Sequence, residues 1–233
     1  TIYNIKNDIG LVNLRCSGSF QSTSLSILKT SILHLSDFNV LLNKKNISGN
    51  LYINNFLNPF IKLHLTSDVN LEDWQQFMPQ NYIYRSKGDA VIDVDFENQF
   101  KSFSSISTQD FKTAQIKGTI RFSDVYLQLV QGETAFENVS GKVELNDQVL
   151  VLNDLNGSIN DNSFILNGKI FYFFDYLFTD NTSMSIVADL SSPYLNMNTF
   201  LAKKSTSSSQ KKNEDEFELV LPENINFDLK LSI

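Results

Sequence analysis

The sequence predicts a mainly β protein: an extended, curled antiparallel sheet whose apolar face forms a groove, with two short helices. Three observations predict this class. Apolar and polar residues alternate along many short segments, which puts the apolar residues on one face of each strand. Glycine recurs just before several of these segments. A unit of strand, turn, strand and short helix occurs twice, from Gly49 and from Gly168, and repetition at long period is typical of extended sheets.

The alternating segments follow one another along most of the chain. Their apolar members, in order, are Leu51 and Ile53; Ile61, Leu63 and Leu65; Ala90, Ile92, Val94 and Phe96; Ile120 and Phe122; Val125, Leu127 and Leu129; Val143 and Leu145; Phe164 and Leu166; Met184, Ile186, Ala188 and Leu190; and Phe227, Leu229 and Leu231. Polar and charged residues lie between them, so the opposite face is solvated, as in antiparallel strands with one covered face.

Glycines and turn residues predict where strands begin. The glycines expected to open a strand are Gly18, Gly49, Gly88, Gly118, Gly141, Gly157 and Gly168. Turns are predicted at residues 54–59, at Asn146-Asp147 and at Asn156-Gly157, where short polar side chains favour tight connections.

Two short helices complete the repeated units. Residues 71–78 are expected to form one, with Asn70 as its N-cap, and residues 197–203 the other. Helices this short are not stable alone, so each must pack on the sheet. Residues 203–216 are polar and of low complexity, which predicts a disordered loop.

The domain organisation expected is a single β-rich domain over residues 1–233, with repeat-like units at about 40–80 and 160–203. The chain begins without methionine and stops within an alternating segment. We therefore expect it to be a fragment of a longer protein that carries any targeting segment elsewhere.

Composition and motifs argue against several functions. A net charge of −7 disfavours nucleic acid as a partner. The single cysteine, Cys16, excludes an internal disulfide and a cysteine-based zinc site. The histidines, His34 and His64, lack a nucleophile or metal-ligand pattern around them, and Asp93 and Asp95 fit the polar face of a strand. We therefore expect no enzymatic activity, no catalytic residues, no metal and no cofactor.

The apolar faces carry the stronger signal. Left uncovered, so much apolar surface would exceed what a soluble monomer exposes. The alternative to the groove is a closed β-sandwich, in which two sheets cover each other's apolar faces. A structural or adhesive sandwich would bind protein or glycan through its loops, whereas a groove would accept acyl chains. Periodicity alone does not separate the two.

A family resemblance favours the groove. It is carried by residues 40–78, 86–94, 118–125, 136–145, 155–168 and 221–229. From about residue 17 onward, the order and the residue patterns of these segments resemble the C-terminal region of AsmA-like proteins of Gram-negative bacteria, of the type found in Bacteroidota. This family is related to bridge-like lipid-transfer proteins, whose repeating β units form a long apolar groove.

The resemblance implies a function, partners and a location. The function would be non-enzymatic lipid binding and transport, or support of outer-membrane biogenesis and assembly. Partners would be phospholipid acyl chains, a membrane reached through regions outside this chain, and outer-membrane assembly proteins. The full-length protein would lie in the periplasm, anchored to the inner membrane. The groove candidates are Leu63, Leu65, Ile92, Val94, Phe96, Ile120, Phe122, Leu127, Leu129, Val143, Leu145, Phe164, Leu166 and Ile186.

Overall fold

The computed structural model describes residues 2–4, 9–23, 28–42, 45–73, 75, 83–105, 110, 112–130, 135–159, 162–178, 182–193 and 224–232. Its strands are β1 (Ile2–Asn4), β2 (Ile9–Gln21), β3 (Ile32–Leu42), β4 (Lys45–Asn54), β5 (Phe60–Asn70), β6 (Ile83–Gln99), β7 (Gln115–Leu129), β8 (Ala135–Asn146), β9 (Val149–Ile159), β10 (Asn162–Phe171), β11 (Met184–Ser191) and β12 (Ile225–Ser232). Within the described residues there is one α-helix, α1 (Phe173–Phe178), and Leu28–Thr30 and Phe103–Ser105 form single 3-10 turns.

All twelve described strands belong to one sheet, in which the spatial order is the order of the sequence. Every neighbouring pair is antiparallel except the last, because β12 runs parallel to β11. Among the described residues β1 and β12 do not pair, so the sheet is not closed. The mainly β prediction is confirmed, and the closed β-sandwich is wrong because the described strands form no second sheet.

The sheet curls because its strands are interrupted by β-bulges. The pairing register shifts within β2–β3, β3–β4, β6–β7, β7–β8, β8–β9 and β9–β10. Asn13, Asp124, Asn138 and Asp154 take left-handed backbone conformations inside strands, with φ between 50° and 58°. Asn and Asp tolerate this conformation best among residues with a side chain. Bulges bend a strand and increase its twist, so they turn one face of the sheet inward.

The glycines lie within strands rather than at strand starts, so that prediction is wrong; six of them are next to register shifts, and Gly118 is in a regular stretch of β7. All seven are inside strands β2, β4, β6, β7, β8, β9 and β10. At Gly118 the backbone φ is 151°, and an added Cβ would overlap the carbonyl oxygen of Asp93 and lie 2.7 Å from the Cα of Val94. Only glycine permits strands to approach this closely.

The buried core lies on the side of the sheet that carries Ala90, Ile92 and Val94, which we call the inner face; the outer face carries Val91, Asp93 and Asp95. The largest cluster of the buried core contains Val69, Leu71, Ala90, Val125, Val139 and Phe164, and it extends from β5 to β10. The rings of Phe136 in β8 and Phe164 in β10 meet edge to face at 6.5 Å. Two strand spacings in a flat sheet amount to about 9.6 Å, so the curl brings these side chains together.

The connections between strands include two of the three turns predicted from the sequence. Residues 55–59 join β4 to β5, and Asp147 and Gln148 join β8 to β9, which confirms the turns predicted there. The turn predicted at Asn156-Gly157 is wrong, because β9 runs through both residues.

The helices differ from prediction. The amide of Glu72 donates to Oδ1 of Asn70 at 3.1 Å, but residues 71–73 form a turn rather than the start of an α-helix, and most of the rest of 71–78 lies outside the described residues. The predicted helix at 197–203 and the loop at 203–216 also lie outside them. Helix α1 lies between β10 and β11, where no helix was predicted, because Tyr172 turns left-handed (φ 62°) and ends β10. Among the described residues no helix is long and apolar enough to span a bilayer.

Candidate functional site

Continuous rows of apolar side chains cross the inner face from strand to strand. Directly opposed residues of antiparallel strands point to the same side of a sheet. One row runs through Leu65, Val94, Gly118 and Leu145. The next runs through Ile92, Ile120, Val143 and Leu152.

Shorter rows extend the inner face on both sides of these two. Leu63 opposes Phe96, and Phe122 opposes Ala90. Leu166 lies between Leu155 and Leu190. Apolar contacts therefore continue across at least β5 to β11.

All fourteen predicted groove residues lie on this inner face. Val143 and Phe164 are buried, and the other twelve are half-buried: Leu63, Leu65, Ile92, Val94, Phe96, Ile120, Phe122, Leu127, Leu129, Leu145, Leu166 and Ile186. None of the fourteen is fully exposed. In a single sheet with no second layer over the described residues, half-burial on one face comes from the curl and from neighbouring side chains.

The structure brings some of the fourteen into common clusters and leaves others apart. The largest cluster takes in Phe164 and has packed against it Ile92, Ile120, Phe122, Leu127 and Leu166. A second joins Val143 to Leu145, Phe122 and Leu166, and a third places Leu65 against Val40 and Ile47. Leu63, Val94, Phe96, Leu129 and Ile186 lie on the same face outside these clusters, and Phe96 stacks on Phe100 at 6.2 Å.

The outer face is charged. His64 Nδ1 lies 3.0 Å from Asp95 Oδ1 and 3.9 Å from Asp93 Oδ1, while Lys62 pairs with Glu97 at 2.7 Å. These groups are substantially solvent-exposed, so their pairing contributes little to stability. Within the described residues, no group of three or more His, Cys, Asp or Glu side chains is arranged to hold a metal ion. Around β5 and β6 the sheet is therefore amphipathic, with mostly charged side chains on the outer face and apolar side chains on the inner face.

Two solvent-open cavities lie away from most of these rows. One, of about 450 Å³, is lined by polar residues of β2 and β3, among them Asn13, Arg15 and Asp37. The other, of about 390 Å³, lies at β8 to β10 and includes Phe164, alone among the fourteen predicted residues. Neither of these two cavities encloses the apolar rows of the inner face.

Several inner-face residues were missed by the sequence analysis. Leu150 and Leu152 of β9 are buried, as is Val139 of β8. The run Val149-Leu150-Val151-Leu152 is continuously apolar, so alternation does not show which of its residues lie on the inner face. Pairing with Leu145 and Val143, whose phase is clear, is the signal that could have assigned Leu150 and Leu152 to the inner face.

The fold and the rows define a protein of one class: an open, curled, amphipathic β-sheet with an apolar inner face. Comparisons of the chain with protein-family models, with curated proteins and with solved structures find no match.

Proposed function

We propose that this chain is a non-enzymatic lipid-binding module that holds phospholipid acyl chains against its inner face, in lipid transport or outer-membrane assembly. The observation that carries the proposal is the sidedness of a single-layer sheet. Fourteen apolar residues share one face, twelve of them only half-buried, and the other face is charged. A ligand of hydrocarbon would complete the burial of that face.

The driving force for such binding is removal of hydrocarbon from water. Each methylene group buried contributes about 0.8 kcal/mol. Leu65, Val94, Ile92 and Ile120 offer methyl and methylene groups only, so the contacts do not depend on the position of a chain along a row. We therefore expect weak discrimination among acyl chains and movement along the rows, while headgroups remain in water.

The location and further partners belong to the same proposal and are supported by the resemblance to AsmA-like proteins. We propose a periplasmic position, with anchoring to the inner membrane through regions outside this chain. In this position the protein partners would be outer-membrane assembly proteins.

A carboxylate on the inner face provides the test, because Val91 and Val94 lie on opposite faces of β6. Val94 is half-buried and opposes Leu65 and Gly118, whereas Val91 is 44% exposed between Asp68 and Arg121. In Val94→Asp, an acyl chain would bury a charge without a partner, which is strongly unfavourable. In Val91→Asp, the added carboxylate stays in water near an arginine.

The measurement is native mass spectrometry of each purified chain, with lipid extraction from the same sample and circular dichroism to establish folding. We expect phospholipid with the wild type and with Val91→Asp, and at least about tenfold less with folded Val94→Asp. Equal lipid content in the two variants, or a wild type without extractable lipid, would contradict the proposal.

A further inference from the structure

One end of the sheet carries a cluster of exposed apolar side chains. The connections β2–β3 (22–31), β4–β5 (55–59) and β6–β7 (100–114) begin and end there, and their described residues, 22–23, 28–31, 55–59, 100–105, 110 and 112–114, lie next to one another. We define the hairpin-tip patch as five residues. Four are exposed, namely Phe20 (52%), Leu28 (47%), Leu57 (51%) and Phe103 (42%), and the half-buried Phe56 lies at their centre. The Phe56 ring lies 6.1 Å from that of Phe20 and 5.6 Å from that of Phe103.

Hydrogen bonds between the connections hold the patch in place. The amide of Phe56 donates to the carbonyl oxygen of Leu28 at 2.9 Å. The amide of Phe100 donates to the carbonyl oxygen of Pro59 at 2.8 Å, and Nδ2 of Asn58 donates to that of Lys101 at 2.7 Å. The exposed rings are thus presented by a preorganised surface, so little ordering is needed on binding.

Asn55 fixes the outermost side chain. Its backbone is left-handed, with φ 62°. Its Oδ1 accepts from the amides of Leu57 at 3.3 Å and Asn58 at 3.2 Å. This local turn keeps Leu57 at the tip of the β4–β5 connection and half in solvent.

The charge of these connections differs in sign from that of the whole chain. They contain Lys29, Lys101 and Lys112 against Asp110, a net charge of +2, in a chain of net charge −7. Lys29 and Lys101 are exposed. Within the described part of the chain, no ion pair joins these three lysines to a carboxylate. Most other residues of the connections are Ser, Thr, Asn and Gln.

We propose that the hairpin-tip patch docks on the surface of an anionic phospholipid bilayer. Exposed Phe and Leu side chains enter the headgroup and acyl boundary, and the lysines remain at the level of the lipid phosphates. Each lysine near such a surface contributes a favourable electrostatic free energy of binding, which added salt weakens by screening. The net positive charge of the connections attracts an anionic surface but not an uncharged or cationic one, which argues for an anionic bilayer.

The patch is continuous with the inner face. Phe20 opposes Leu33, Leu33 opposes Ile53, and Ile53 opposes Ile61 of β5. An acyl chain leaving the bilayer at the patch would therefore meet the apolar rows directly. This last step rests on the proposed function, whereas docking itself does not.

Vesicle co-sedimentation of the intact chain tests the docking. The probes are phosphatidylcholine vesicles with and without about 30% phosphatidylglycerol. The patch variant Phe20→Ser/Leu57→Ser/Phe103→Ser is compared with a control, Leu14→Ser/Tyr84→Ser/Val187→Ser, whose three apolar residues lie elsewhere and are at least as exposed. We expect the wild type and the control to bind the anionic vesicles, and the patch variant to bind at least about tenfold more weakly.

The charge is tested with Lys29→Gln/Lys101→Gln, which should lose binding to anionic vesicles by about tenfold and not to neutral ones. Undiminished binding by the patch variant, or no binding of the wild type to either vesicle, overturns the proposal; the second result would instead favour a protein partner. The Val94→Asp variant should still sediment with vesicles, and the patch variant should still carry extractable lipid, so failure of docking and failure of the inner-face function are distinguishable.

Discussion

Replacing Val125 by alanine tests whether the curled sheet has a packed core along its bends. Val125 is 0% exposed, opposes Val139 and belongs to the cluster that spans β5 to β10. The change removes the equivalent of two methylene groups, which is about 1.6 kcal/mol of transfer free energy at about 0.8 kcal/mol each. Incomplete closure of the space left behind raises the expected loss of unfolding free energy to about 2–3 kcal/mol.

Urea denaturation followed by circular dichroism measures this loss. For a chain of this size it corresponds to a fall in melting temperature of about 5–10 °C. The control is Val187→Ala on the outer face, where the side chain is 43% exposed and the expected loss is about 0.5 kcal/mol or less. A lower urea midpoint at unchanged slope is the expected result for Val125→Ala. Equal losses in the two variants would refute the packed bend, because they would mean that Val125 is no more buried than Val187.

Two further predictions concern the close approach of β6 and β7 at Gly118 and the β5–β6 connection. Gly118→Ala should lose about 2 kcal/mol or more in the same assay, because its φ of 151° and the overlap of a Cβ with Asp93 both oppose a side chain; a loss below about 0.5 kcal/mol would show that the strands do not approach so closely. Ser86→Ala should lose about 1–2 kcal/mol, because the buried Ser86 hydroxyl donates to the carbonyl oxygen of Leu71 at 2.9 Å. Exposed Ser123 on β7 is the control for Ser86, and an equal effect of Ser123→Ala would argue against that bond.

Alternation predicted the faces of the sheet wherever polar residues separated apolar ones. In β6, Ala90 is buried and Ile92, Val94 and Phe96 are half-buried, whereas the residues between them are exposed at Val91, Asp93 and Asp95 and half-buried at Glu97. In β9 the apolar run lacks such separation, and its phase depends on pairing with β8. Strand pairing is a tertiary property, so the local pattern alone could not supply it.

The bends were harder to predict than the strands. Glycine serves equally at a tight turn and at a close approach between strands, and a local sequence does not distinguish the two. At Gly157 and Gly141 the chain continues as strand. The bulges at Asp124, Asn138 and Asp154 depend on residues that are also typical of turns. Periodicity likewise could not distinguish a single curled sheet from a sandwich, because both architectures place apolar residues on one face of each strand.

The identity of spatial and sequence order has a consequence for how such a molecule folds and changes in length. Each strand takes its backbone hydrogen bonds from the strands just before and just after it in the chain. From β1 to β11 each adjacent pair is a hairpin closed by a connection of 2 to 15 residues, whereas the parallel pair β11–β12 is joined by residues 192–224. Closing such hairpins orders little chain, and the stability of the antiparallel part is close to a sum over adjacent pairs. Duplication or loss of a hairpin would then lengthen or shorten the apolar surface while leaving distant pairs intact. The echo between the hairpins of Gly49 and Gly168 is what such growth by duplication would leave in a sequence.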